Sequence, residues 1–164
     1  MTMRLDVAGR RLATLVANLC RVGLGAFWIH EGVFKYQAGF GRADILLVTS
    51  SVAQNSRVPG FYKFFSSHVL QNAPTLFGYL VPLLEVGLGV ALVLGIFTLP
   101  IALASVFQLC NYWLADQLIT QYPIMMAMSA AVAAFAPVAR QYSVSTIVMR
   151  RWDLHPPAFV APLL

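Results

Sequence analysis

Two ionisable side chains stand in the middle of long apolar runs, Arg21 within residues 12–34 and Glu85 within residues 75–97. An ion placed in hydrocarbon is costly, so such residues face a bundle interior or a water-filled cavity and mark head-group sites or proton paths. Arg21 lies nine residues into its run and Glu85 ten into its own. At about 1.5 Å per residue both come roughly 14 to 15 Å from opposite ends of antiparallel crossings, which predicts a pair near the bilayer centre. That pair serves either as a lock between two helices or as the floor of a polar pocket. Gln108 and Asn111, three residues apart on one helix face, add two amides at comparable depth. The expected intramembrane pocket is therefore Arg21, Glu85, Gln108 and Asn111, and no residue is assigned a catalytic role.

An outer rim is expected from His30, Glu31, Lys35 and Asp116, joined by His68. His30 beside Glu31 has the start of a zinc-protease helix pattern, but the second histidine is missing and Lys35 cannot offer a ligand, so no metal site is expected. Glu31 and Lys35 are spaced i, i+4 in the order that favours a helical ion pair. With this rim nearby, a quinone-like ring would lie within reach of a titratable group. Trp28, Trp113, Tyr79 and Tyr112 read as packing or interface residues.

The elements that must position these groups are helices. The apolar periodicity predicts an all-α integral membrane protein, a bundle of four transmembrane helices in a single domain over residues 1–164. The spans are 12–34, 75–97, 99–119 and 122–138. A long structured loop, 37–74, carries two short interfacial helices, 44–54 and 62–70, too short to cross a bilayer. Pro82 is expected to kink the second span, and Thr98 to Pro100 to form a tight turn. The fourth span, rich in Ala, Ser and Met, permits close approach of neighbouring backbones. Residues 140–164, with Arg150, Arg151, Trp152 and Pro156–Pro157, read as an interfacial tail.

Composition agrees with this placement. Of 164 residues 59% are hydrophobic and 10% charged, too little polar surface for a soluble core of this size. The net charge of +5 comes from scattered Lys and Arg with no basic run, which argues against nucleic acid. Six basic residues flank the bundle on the side of the termini (Arg4, Arg10, Arg11, Arg140, Arg150, Arg151) against four in the first loop (Lys35, Arg42, Arg57, Lys63), so both termini are expected in the cytoplasm. The leader resembles a signal peptide, but its apolar run is too long, contains Arg21 and lacks a small-x-small cleavage site; it is expected to remain as the first span. Cys20 and Cys110 lie in apolar stretches and suggest neither disulfide nor zinc chemistry.

The string from Arg21 to Lys35, RVGLGAFWIHEGVFK, resembles the first-helix pattern of the DoxX-like superfamily: an Arg, an apolar half-helix, then Gly-x-x-Lys. Leu84 to Gly95, LEVGLGVALVLG, is similar to its second-helix signature, a Glu followed by glycine-rich apolar turns. The resemblance covers about residues 12–138 and puts the family's conserved-type positions on Arg21, Gly32 to Lys35, and Glu85. It implies a small four-helix protein of the bacterial inner membrane, related to DoxX, to the DoxD subunit of thiosulfate:quinone oxidoreductase, and to membrane proteins of methylamine utilisation and reactive-chlorine resistance.

The functional expectation is a membrane subunit of a redox or respiratory assembly with a quinone-accessible pocket, at most one subunit of a quinone-linked oxidoreductase. The chain has no electron carrier of its own, so quinone and a partner subunit or a second copy would be required. The alternatives are a noncatalytic scaffold that docks a partner membrane protein through the aromatic loop, and a small oligomeric transporter.

Overall fold

The computed structural model describes residues 7–152, and all regular structure among them is helical. The order is α1 (Val7–Gln37), α2 (Arg42–Gln54), α3 (Gly60–Phe65), a π-helical turn (Ser66–Leu70), α4 (Pro74–Leu94), α5 (Thr98–Leu114), α6 (Gln121–Ala134), α7 (Ala136–Ala139) and α8 (Val144–Arg151). Two helical stretches are long and apolar enough to cross a membrane: Arg11–Gln37, with mean hydropathy 1.6, and Pro74–Leu94, with 2.0. The other two expected spans are shorter helices, 17 residues in α5 and 14 in α6.

Local chemistry explains where the helices stop. α4 ends at Leu94 rather than at 97, because Gly95 takes φ +71° and closes a Schellman turn in which Ile96 N–H reaches Ala91 O (2.9 Å) and Gly95 N–H reaches Leu92 O (3.1 Å). A side chain at Gly95 would also run into Ser143 Cβ. The expected turn at Thr98 to Pro100 therefore falls three residues earlier, and Pro100 sits in the first turn of α5, where its missing N–H costs nothing. α5 in turn stops at Leu114, short of the expected 119. Asp116 adopts φ +57°, and the same pair of bonds recurs: Gln117 N–H to Tyr112 O at 2.9 Å and Asp116 N–H to Trp113 O at 3.0 Å. The fourth segment breaks at Phe135, just before Pro137, so that α6 and α7 replace one continuous helix.

α1 and α4 form the most extensive helix pair, followed by α5 with α6. Glycines set the first contact: a Cβ at Gly25 would lie 2.8 Å from Gly89 O, one at Gly89 2.7 Å from Gly25 O, and one at Gly32 2.8 Å from Pro82 O. Backbones this close leave no room for side chains along the seam. The core behind it contains Leu24, Trp28, Leu92, Leu109, Met125 and Val132. The loop helices, expected over 44–54 and 62–70, lie close to those bounds and pack as a cap: α2 rests on α4 through Gly41 and Gly78, and Val52, Val58, Tyr62 and Ala115 form a second small core. Burial pushes the Tyr62 phenol up to about 12.

Candidate functional site

The α1–α4 register decides which ions meet. With Gly25 against Gly89 and Gly32 against Pro82, Arg21 lies level with Leu92 and Val93, whereas Glu85 lies level with the stretch between Trp28 and Gly32. The eight residues between Glu85 and Val93 correspond to about 12 Å of helix. Arg21 and Glu85 thus do not pair. The expectation treated both as mid-span residues of helices with equal overhangs, but α1 begins at Val7 and runs 31 residues, which shifts its register against α4.

Arg21, 2% exposed, is held by carbonyl and amide oxygens, with no acid partner among the described residues. Its Nε donates to Ala139 O at 2.9 Å, Nη1 to Leu92 O and to Val93 O (3.0 Å), and Nη2 to Tyr142 O (3.0 Å) and Asn18 Oδ1 (3.2 Å). The Leu92, Val93 and Ala139 carbonyls belong to the last turns of α4 and α7, where helix carbonyls lack intrahelical partners, and Tyr142 lies in the turn before α8. Asn18 is held by bonds to Thr14 O (2.8 Å) and Val138 O (3.3 Å).

Glu85 instead meets the residues expected at the rim. Its side chain is fully buried, and Oε1 accepts from Lys35 Nζ at 2.6 Å and from the Tyr112 hydroxyl. Lys35 Nζ also lies 3.7 Å from Glu31 Oε2 and 5.3 Å from the Tyr112 ring centroid. Glu31 accepts from Gln121 Nε2 at 2.7 Å and from Tyr122 Oη at 3.4 Å, and the Tyr112 and Tyr122 rings stack at 5.0 Å. Residues of α1, α4, α5 and α6 therefore converge on two carboxylates and one ammonium. Below them Trp28 Nε1 donates to Ser105 Oγ (2.6 Å), which is bonded to Ser129 Oγ (2.7 Å).

A cavity of 390 Å³ opens beside this cluster. Lys35, Tyr112, Gln108, Asn111 and Gln117 supply its polar groups, and Phe40, Ile45, Tyr62, Phe65, Leu80 and Leu84 are among its walls. The expected amide pair is thus brought together with Lys35, not with Arg21. Asn111 Nδ2 also donates to Phe107 O at 2.9 Å.

The remaining rim residues are dispersed. His30 is 73% exposed and stacks on Phe34, with Nδ1 3.9 Å from Glu31 Oε1. Asp116 fastens the cap, accepting from Arg57 Nη2 at 2.6 Å and Asn55 Nδ2 at 2.7 Å. His68 stacks on Phe64 at 4.0 Å in the cap. Tyr112, Tyr122 and Gln121 were missed as polar partners. Tyr112 follows Ser105 and Leu109 at helical spacing on the buried face of α5, a signal that fixes direction but not the acid waiting there.

Two helices long and apolar enough to cross a bilayer, packed on each other through glycines beside a buried ion cluster, fit a membrane protein. The profile of the DoxX family matches residues 16–117, and the chain belongs to that family. The match takes in α1, the cap, α4 and α5, and hence Arg21, Glu31, Lys35, Glu85 and Tyr112. No curated protein and no solved structure matches the chain.

Proposed function

We propose that this chain is a four-span subunit of the bacterial inner membrane, with both termini in the cytoplasm, that serves a redox assembly by binding a quinone-type molecule in the 390 Å³ cavity. The observation that carries this reading is a cavity lined mostly by apolar and aromatic side chains in which Lys35, bonded to the buried Glu85, and Tyr112 supply polar groups. Ligand sites of this kind combine apolar walls with a few placed polar groups. The ring and tail of a quinone suit the walls. Lys35 has three N–H donors, one bonded to Glu85 and the ammonium 3.7 Å from Glu31, which leaves a donor to meet a ring carbonyl. The quinone would supply the electron-carrying chemistry; Lys35 and Tyr112 orient it, and the aromatic cap keeps water from it.

Four crossings follow if α5 and the joined α6–α7 segment each cross a thin bilayer; 17 residues is the short end of what a span needs. The test is binding of a decyl-substituted benzoquinone to the protein in nanodiscs. Saturable binding, weakened at least about tenfold by Lys35→Met, is expected. Absence of saturable binding, or equal binding by the variant, refutes the proposal.

Exposed Phe61 and Phe64 on the cap favour a second reading, a scaffold that docks a partner membrane protein. Under it, Phe61→Ser with Phe64→Ser removes a copurifying subunit while Lys35→Met leaves that subunit bound.

A further inference from the structure

Glu31 and Glu85 are the two glutamates of the chain, and both are buried in one cluster with a single ammonium between them. Two carboxylates against one lysine leave an excess negative charge in a dry site. Lys35 is the close partner of both acids. From the other elements packed against the cluster come neutral groups: Tyr112 from α5, and Tyr122 and Gln121 from α6. His30 reaches only to 3.9 Å and turns its ring outward. Arg21, the other buried cation, is committed to carbonyls.

A second observation is independent of charge. Glu85 Oε2 is buried and has no hydrogen-bond partner among the described residues, although Oε1 has two. An ionised carboxylate with one orphaned oxygen is the costliest state for such a site; a proton on the carboxyl removes the charge and most of that cost. Both acids face the one ammonium, so the charge on either bears on the other.

We propose that Glu31, Lys35 and Glu85 form a proton-binding site that holds one exchangeable proton at neutral pH on its two carboxylates. The proton adds to a carboxylate oxygen as an O–H bond and leaves to water or to a base in the adjoining cavity, restoring the carboxylate; no electrons move. The site is open to exchange because Lys35, 15% exposed, and Tyr112 line both the cluster and the cavity. The proposal does not depend on which molecule fills that cavity.

Infrared spectroscopy of the ligand-free protein in nanodiscs, scanned from neutral to alkaline pH, reads the carbonyl stretch of a protonated carboxylic acid directly. One such band is expected at neutral pH, shifted by deuteration, lost in Glu85→Gln and in Glu31→Gln, and doubled in Lys35→Met, where two acids face no ammonium. The two glutamine variants guard against a fold defect in either one, and thermal unfolding reports on both. Absence of the band in the unsubstituted protein overturns the proposal, as does its survival in both glutamine variants. Loss of the band when sodium replaces choline in the buffer overturns it in favour of a cation site.

Discussion

Arg21 and Lys35 are two enclosed cations fourteen residues apart on α1, about 21 Å along the helix, and they are neutralised in opposite ways. Arg21 is surrounded by backbone carbonyls at the ends of α4 and α7, groups that cannot take up a proton and cannot move without their helices. Lys35 faces two carboxylates, side chains that can take up a proton, beside the Tyr112 ring. The first arrangement staples three chain segments together. The second puts groups that exchange protons beside a cavity with polar groups of its own. A buried ion thus marks a functional place by the kind of partner it has rather than by its depth.

The contrast can be broken most severely at the seam both ends share. Gly25→Leu would drive a side chain into Gly89 O and Val93 N, at 2.8 and 3.0 Å already for Cβ, and part α1 from α4. We expect a cost beyond the usual range of about 1–3 kcal/mol for overpacking, read as loss of folded protein in detergent size-exclusion chromatography.

At the staple alone, Arg21→Met takes the side-chain donor from the carbonyls of Ala139, Val93 and Tyr142, while Leu92 O keeps its bond from Gly95 N–H. With an unsatisfied buried group costing about 1–3 kcal/mol, a loss of at least about 3 kcal/mol is expected, measured by denaturant titration and independent of pH between neutral and mildly alkaline. Lys35→Met sharpens the difference. Protons can replace the lost ammonium, so the cost at neutral pH should be smaller, about 1–3 kcal/mol, and should grow as the pH rises; a flat response would erase the distinction between the two ends.

Two smaller effects concern the cap that covers the Lys35 end. Asp116→Asn weakens the bond to Arg57, whose side chain is 65% exposed, so a loss of no more than about 1 kcal/mol is expected, diminishing with added salt. The Tyr62 phenol, at about 12 in the folded cap against about 10 when free, keeps its full stabilising effect below pH of about 10 and loses it as the pH climbs toward 12, because the unfolded segment ionises first. Limited proteolysis across 55–73 as a function of pH should show the cap loosening over that window, while the Arg21 end stays protected.

The helical elements were legible in the sequence because apolar runs, prolines and glycines act locally. The short loop helices follow from runs bounded by Gly41, Pro59 and Pro74, whereas the stops at Gly95 and before Pro137 were passed over, the expected spans running on to 97 and 138. The sequence also singled out Arg21, Glu31, Lys35 and Glu85 as ions that need partners, and the motifs around them placed the chain in its family. It named the Glu31–Lys35 contact within one helix but not which ions meet across helices. Only the tertiary structure decided that, since the register of α1 on α4 is set by where Gly25, Gly32 and Gly89 let two backbones touch, and a shift of eight residues replaces an Arg21–Glu85 pair by a Lys35–Glu85 pair. The same holds for Tyr112 and Tyr122, whose hydroxyls became partners of acids through the packing of α5 and α6 against that seam. Residue type and helical period set which groups are buried; the distance between groups on different helices depends on inter-helix register, which no local pattern encodes.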